Sequence, residues 1–188
     1  RLMSAPDKTR LGLRDRAMLE LLYGSGLRAS ELRRLDLTHL DLDKGLVLVR
    51  RGKGAKDRTV PLSGRSIEAL AVYLKNGRPR LAKKTCELAL FLSQTGRRLG
   101  KNGFQARIKQ HVQAAKLAPG TVPHSLRHAC ATHLLQGGAN LRHVQAILGH
   151  AHLQSTTIYT RVNVKDLAKV LERAHPRERE WARRARKA

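Results

Sequence analysis

Apolar positions recur at helical spacing along most of this chain and at strand spacing in only a few places. From 13 to 23, Met18, Leu21 and Leu22 share one face of a predicted helix that stops at Gly24-Ser25-Gly26. Leu32 and Leu35 belong to a second short helix behind Arg28, so Arg28 stands where a glycine turn enters a helix. Leu46 to Val49 reads as a buried strand, and Thr59 to Leu62 returns beside it after the loop 51–58, making a hairpin with a basic tip. Ile67, Leu70, Ala71 and Leu74 repeat at helix spacing until Asn76-Gly77-Arg78-Pro79 ends the element, and a loose basic stretch follows to Lys84.

Leu90-Phe91-Leu92 is a candidate short strand. A helix over about 103–116 buries Phe104, Ile108 and Val112, and Asn102 with Gln105 resembles a capping box at its start. The next helix runs from His124 to Gln136 and closes on Gly137-Gly138; Asn140 caps another through Leu148, with Gly149 as its stop. Ser155 can cap the turn that carries Tyr159, and Leu167, Val170 and Leu171 form the stripe of a last helix ending before Pro176. The pattern predicts a mainly α fold with a small antiparallel β-sheet (α+β). With 188 residues, 41% of them hydrophobic, one domain with one core is expected, followed by an Arg-rich tail over 176–188.

Charge narrows the partner. Thirty-eight Lys and Arg against fourteen Asp and Glu give a formal net charge of +24, a field that favours a polyanion such as DNA or RNA, or else a solvated basic surface. Cys86 and Cys130 lack the number and spacing of a disulfide framework or a Cys-based zinc site, and read as reduced, packed residues. No apolar run approaches the length of a membrane span, so a cytoplasmic protein is expected. The chain opens at Arg1 without an initiator Met, as a piece of a longer protein would.

Three segments carry the candidate chemistry: Gly-Leu-Arg-Ala-Ser-Glu-Leu at 26–32, His-Ser-Leu-Arg-His at 124–128, and Leu-Gly-His at 148–150 with Tyr159 nine residues on. Arginine forks orient phosphate, histidine moves protons near neutral pH, and a tyrosine oxygen can attack phosphorus. His124, Arg127 and His128 share a helix face. His124 and His128 also have zincin-like spacing with His133 nearby, but no Glu stands between the pair and no third ligand is placed. His128 and His133 read better as residues turned toward the core, and His124 as functional. Gly52-Lys53-Gly54-Ala55-Lys56 fails the nucleotide-loop spacing and sits on a hairpin tip instead. Tyr23 and Tyr73 lie on apolar helix faces, where packing is the default.

Five motifs in order, at matching separations, resemble the catalytic domain of the tyrosine recombinase family, close to its Xer and phage-integrase branch. They are Gly-Leu-Arg-x-Ser-Glu-Leu (26–32), Gly-Lys-Gly-x-Lys-x-Arg (52–58), Pro-His-x-Leu-Arg-His (123–128), Leu-Gly-His (148–150) and Tyr-Thr (159–160), and the match runs from about residue 10 to 175. The resemblance implies the family's catalytic-domain fold and DNA strand cleavage and rejoining through a covalent 3′-phosphotyrosyl link. It also implies independence from ATP, metal and any other cofactor. Arg28 and Arg127 then correspond to the arginines that grip the scissile phosphate, and Lys53 to the hairpin lysine that protonates the departing 5′ oxygen. His124 and His150 correspond to the two histidines that assist proton movement, Tyr159 to the nucleophile, and Glu31 to a residue that orients the site. Double-stranded DNA with a specific site is the implied partner. A homo- or hetero-tetramer would be linked through the C-terminal helix at about 164–174, although the same stripe could pack in cis. The family's N-terminal DNA-binding domain has no counterpart here. An isolated domain is therefore expected to be monomeric, with that helix mobile or folded back and the tail beyond His175 disordered. The alternatives are a type IB topoisomerase, which shares much of the chemistry, and a helix-turn-helix DNA-binding protein built on 124–136 and 140–148, which leaves Arg28, Lys53, His150 and Tyr159 unexplained.

Overall fold

The structure is a computed structural model that describes residues 1–50, 57–83, 87–118, 123–149 and 163–185. Its first long helix, α1 (Arg10–Gly24), starts three residues before the predicted position because the Thr9 hydroxyl accepts from the Gly12 N–H at 3.1 Å. It is sheathed by α3 (Gly64–Val72) and α5 (Pro123–Gln136), so Ala17, Met18, Leu19, Leu21 and Leu22 are all fully buried, more than one stripe. Between α1 and the sheet lies the single turn-and-a-half of α2 (Ala29–Arg33), which ends before Leu35.

The sheet is the antiparallel meander β1 (Leu40–Asp41), β2 (Leu46–Val49) and β3 (Arg58–Pro61). Val47 pairs with Val60 and Val49 with Arg58, which turns Val47, Val49 and Val60 inward. The predicted hairpin is therefore present, while its tip, with Lys53, lies outside the described residues. Ser63 caps α3 by accepting from the Ser66 N–H, and α3 runs on into a π-helical turn, Tyr73–Gly77; of the predicted stripe, Ala71 faces outward.

Two expectations are corrected here. Leu90-Phe91-Leu92 forms no strand: Ala89 and Leu92 make only single bridges, to Asp36 and Arg98, and burial alone accounts for the apolar run. Helix α4 (Lys101–Ala114) begins earlier than expected, on Gly100, with no side-chain cap, so Asn102 and Gln105 form no capping box. Phe104, Ile108 and Val112 are buried as the spacing requires.

Helix α6 (Leu141–Leu148) matches its signals at both ends. The Asn140 side chain accepts from the Arg142 N–H at 2.9 Å, and Gly149 stops it in the left-handed region at φ 64°. Helix α7 (Val164–Ala174) lies in cis against β3, α5 and α6, burying Leu167, Val170, Leu171 and Ala174. The expectation of a disordered tail is overturned over Pro176–Ala185, which form α8 against α3. Pro176 starts that helix, as proline's fixed φ favours. Arg177 Nε donates to Glu20 Oε2 at 3.0 Å, the Glu178 carboxylate accepts the Gly64 N–H at the start of α3, and Trp181 covers Gly64, where a Cβ would come within 2.7 Å of the indole. Among the described residues no helix is long and apolar enough to cross a membrane.

Candidate active site

Arg28 is the N-cap residue of α2. Its backbone N–H donates to Glu31 Oε2 at 2.8 Å and its Nη1 to Glu31 Oε1 at 2.8 Å, so the residue that closes the helix end is also held by it. The same carboxylate receives Arg58 from the start of β3, Nη1 on Oε1 at 2.8 Å and Nη2 on Oε2 at 2.9 Å. Burial works to raise the Glu31 pKa, but the Arg58 hydrogen bonds and the Arg28 backbone N–H outweigh it and hold the carboxyl at about 2. It is an anion at any ordinary pH.

Arg127 sits one turn into α5, buried to 6% exposure, with Nη1 on the Gly26 carbonyl at 2.5 Å and Nη2 on the Leu148 carbonyl at 2.5 Å. Arg28 Nη2 reaches the next carbonyl, Gly149, at 3.1 Å. Both guanidinium groups therefore anchor at the C-terminal end of α6, where the helix leaves unpaired carbonyls and partial negative charge. Burial, and then the neighbouring Arg28, push the Arg127 pKa down to about 10, which still leaves it fully charged at neutral pH. Gly26, at φ 59°, admits the Leu148 side chain where a Cβ would come within 2.5 Å of it, and this close approach brings the Gly-Leu-Arg turn onto the end of α6.

Arg28, Arg127 and His124 line one cleft of about 620 Å³. Its floor is apolar, with Ala29, Phe104, Ile108 and Pro123; its rim is cationic and polar, with Arg33, Lys101, Gln105 and Lys109. His124, in the first turn of α5, is exposed to it, at the helix end where backbone N–H groups favour anions. Three of the six expected site residues are thus brought together from segments a hundred residues apart. The other three, Lys53, His150 and Tyr159, lie outside the described residues, although α6 and Gly149 deliver the chain to the residue before His150 beside both arginines.

Of the remaining candidates, His133 accepts or donates a 2.8 Å hydrogen bond with the Tyr23 hydroxyl and is a packed residue, as expected. His128 is exposed on α5 rather than turned inward, because the α5 core face is taken by Leu126, Cys130 and Leu134. Cys130 is free and fully buried, its thiol pushed up to about 12 by burial. Sequence reasoning assigned no role to Arg58, although it closes the second motif, and overlooked the row Lys101, Gln105 and Lys109, whose i, i+4, i+8 spacing on an exposed helix face was its only signal.

A fold of helices around a small meander thus holds two guanidinium groups and an imidazole in one basic cleft, a donor set whose charge and geometry suit an anion such as phosphate. The chain belongs to the phage integrase family, whose model matches residues 1–166. It is 47% identical over 181 residues to "Tyrosine recombinase XerC" of Pelotomaculum thermopropionicum, covering 94% of this chain and 59% of that protein. To "Tyrosine recombinase XerD" of a Staphylococcus epidermidis strain it is 44% identical over 177 residues, covering 94% and 60%. Among solved structures it is similar to XerA recombinase, with TM-score 0.71 and 31% identity over 93% of this chain and 62% of that one. It is also similar to XerH site-specific recombinase bound to difH substrate, with TM-score 0.68 and 28% identity over 91% and 50%. The chain spans about six-tenths of the length of these curated relatives.

Proposed function

We propose that this chain is the catalytic part of a site-specific DNA recombinase, with residues 1–175 as its catalytic domain, that cleaves and rejoins strands through a 3′-phosphotyrosyl intermediate at Tyr159. The observation that carries the reading is the convergence of Arg28, Arg127 and His124 on one basic cleft, with both arginines braced from behind by backbone carbonyls. A guanidinium held in this way needs no reorganisation when charge grows on a phosphate, which is what makes such donors effective in a transition state.

In this reading the Tyr159 oxygen attacks phosphorus, the P–O bond to the 5′ oxygen breaks, and Lys53 supplies the proton that the departing oxygen takes up. Arg28 and Arg127 hold the non-bridging oxygens, and His124 and His150 hydrogen-bond the phosphoryl oxygens and assist the movement of the proton that the phenol gives up. Reversal by a 5′ hydroxyl restores the diester and the free phenol without an outside energy source. The two described tyrosines support the choice of Tyr159, because both are occupied elsewhere. Tyr73 stacks on Phe91 and donates to the Leu90 carbonyl, Tyr23 pairs with His133, and burial raises both phenols to about 12.

The substrate is double-stranded DNA, as the complexes of the XerH and Tn1549 relatives suggest. Assembly of four protomers requires α7 to leave its seat in cis, and α8 is anchored beside it, so the isolated chain should be monomeric. The deciding experiment offers a nicked duplex to the chain and looks for an adduct that survives denaturation. Wild type should form it and Tyr159→Phe should not, with DNA binding nearly unchanged. An adduct in the Phe variant would rule out this assignment.

A further inference from the structure

We propose that Arg58 is a positioning residue that keeps Arg28 turned to the cleft by occupying the carboxylate that would otherwise capture it; this rests on the reading of Arg28 as a phosphate ligand. Glu31 is 7% exposed, and its two oxygens take four donors: the Arg58 fork on both, the Arg28 backbone N–H on Oε2, and a single Arg28 Nη1 on Oε1. A carboxylate and a guanidinium left alone prefer the bidentate arrangement. Here Arg58 has that arrangement. Arg28 keeps one bond to Glu31 and spends its Nη2 on the Gly149 carbonyl at 3.1 Å.

The second half of the device is steric. Gly149 lies directly over Arg58, so that a Cβ there would come within 2.6 to 2.8 Å of its Nε, Cζ and Cδ. Arg58 is thus a strut between the Glu31 carboxylate and the turn that ends α6, and it fixes the carbonyl on which Arg28 rests. Electrostatics adds to geometry: Arg28, Arg58 and Arg127 face one Glu31, and losing Arg58 would leave Glu31 to neutralise Arg28. With Arg58 gone, Arg28 has both a vacated oxygen to turn toward and a loosened carbonyl to leave.

The test is a cycle of Arg58→Met, Glu31→Gln and the double variant, with Arg58→Lys as a fold-preserving fourth; thermal unfolding confirms that each is folded. Cleavage of a nicked duplex should slow by about 10²-fold in Arg58→Met, comparable to the loss of a transition-state donor. The double variant should recover at least tenfold of this, because the neutral amide no longer captures Arg28. Arg58→Lys should fall between. A residue that only stabilises the fold, or touches DNA itself, gives additive losses, and additivity overturns the proposal. A crystal structure of Arg58→Met decides the matter independently of catalysis. Arg28 turned onto both Glu31 oxygens supports it, and Arg28 still on the Gly149 carbonyl overturns it. If wild type forms no adduct, the recombinase reading fails while the crystal structure still judges the role of Arg58.

Discussion

Arg28 and Arg127 donate to successive carbonyls, Gly149 and Leu148, at the end of one helix. Their separation is therefore set by a peptide unit rather than by side-chain packing. Replacing either with Ala should cut single-turnover cleavage by roughly 10²–10³, the cost of a lost preorganised donor, while DNA affinity falls far less. Arg127→Lys should fare little better than Ala, since one ammonium cannot reach the Gly26 and Leu148 carbonyls and a phosphate together. Equal losses in binding and cleavage would mark both arginines as ordinary anchors.

Gly149→Ala should be costly twice over. The left-handed φ of 64° strains any Cβ by ~1–2 kcal/mol, and this Cβ also meets Arg58. We expect a lowered unfolding midpoint together with a cleavage loss larger than the stability change explains, measured on protein held well below its midpoint.

The proton role of Lys53 is separable from the arginines. A substrate with sulfur at the 5′ bridging position has a leaving group that needs no protonation. It should restore cleavage to Lys53→Ala and leave Arg127→Ala slow. If Lys53→Ala stays slow on the sulfur substrate, the acid is another group, with Lys56 or His124 next in line.

Acid should unfold the chain in two stages. His175 is fully buried, Nε2 on the Tyr23 carbonyl at 3.2 Å and Nδ1 accepting the Arg177 N–H at 3.2 Å, an arrangement only the neutral ring allows. Burial lowers its pKa from 6.5 to about 4, so between those values the unfolded chain holds a proton the folded chain lacks. Stability is unaffected above pH 6.5 and falls as pH drops toward 4, by on the order of 3 kcal/mol. Glu31 acts in the same sense at lower pH: its stabilisation is present above 4.5 and is lost as pH falls from 4.5 to 2. Urea unfolding at pH 7, 6, 5 and 4 should show the first stage, and His175→Gln should flatten it.

Arg177→Met should destabilise the domain by about 3 kcal/mol, because Glu20, 1% exposed, loses its principal partner. An unfolding midpoint equal to wild type would show that the Arg177–Glu20 pair adds nothing net to the stability of the fold.

Much of this architecture was legible because its determinants are local. Asn140 and Gly149 punctuate α6 within a few residues of themselves, and Leu167, Val170 and Leu171 mark a face by spacing alone. The fold class and the grouping of Arg28, His124 and Arg127 followed from such signals and from motif order. What escaped depends on distant partners. Pro176 to Ala185 carries no apolar stripe, and it is ordered by a carboxylate 157 residues away and by the open N–H of α3. Asp15 likewise gathers Arg14, Arg107 and His111 from two helices in a buried node that no spacing announces. Arg58 stood in a quoted motif, yet its purpose is visible only where Glu31 and Gly149 meet around it.

Four of the fourteen acidic residues, Asp15, Glu20, Glu31 and Glu178, are buried. The ten that remain at or near the surface are far outnumbered by the thirty-eight lysines and arginines, so the outside of the molecule behaves as a small anion exchanger. Salt concentration, through counterion displacement, therefore governs how strongly this surface holds any polyanion.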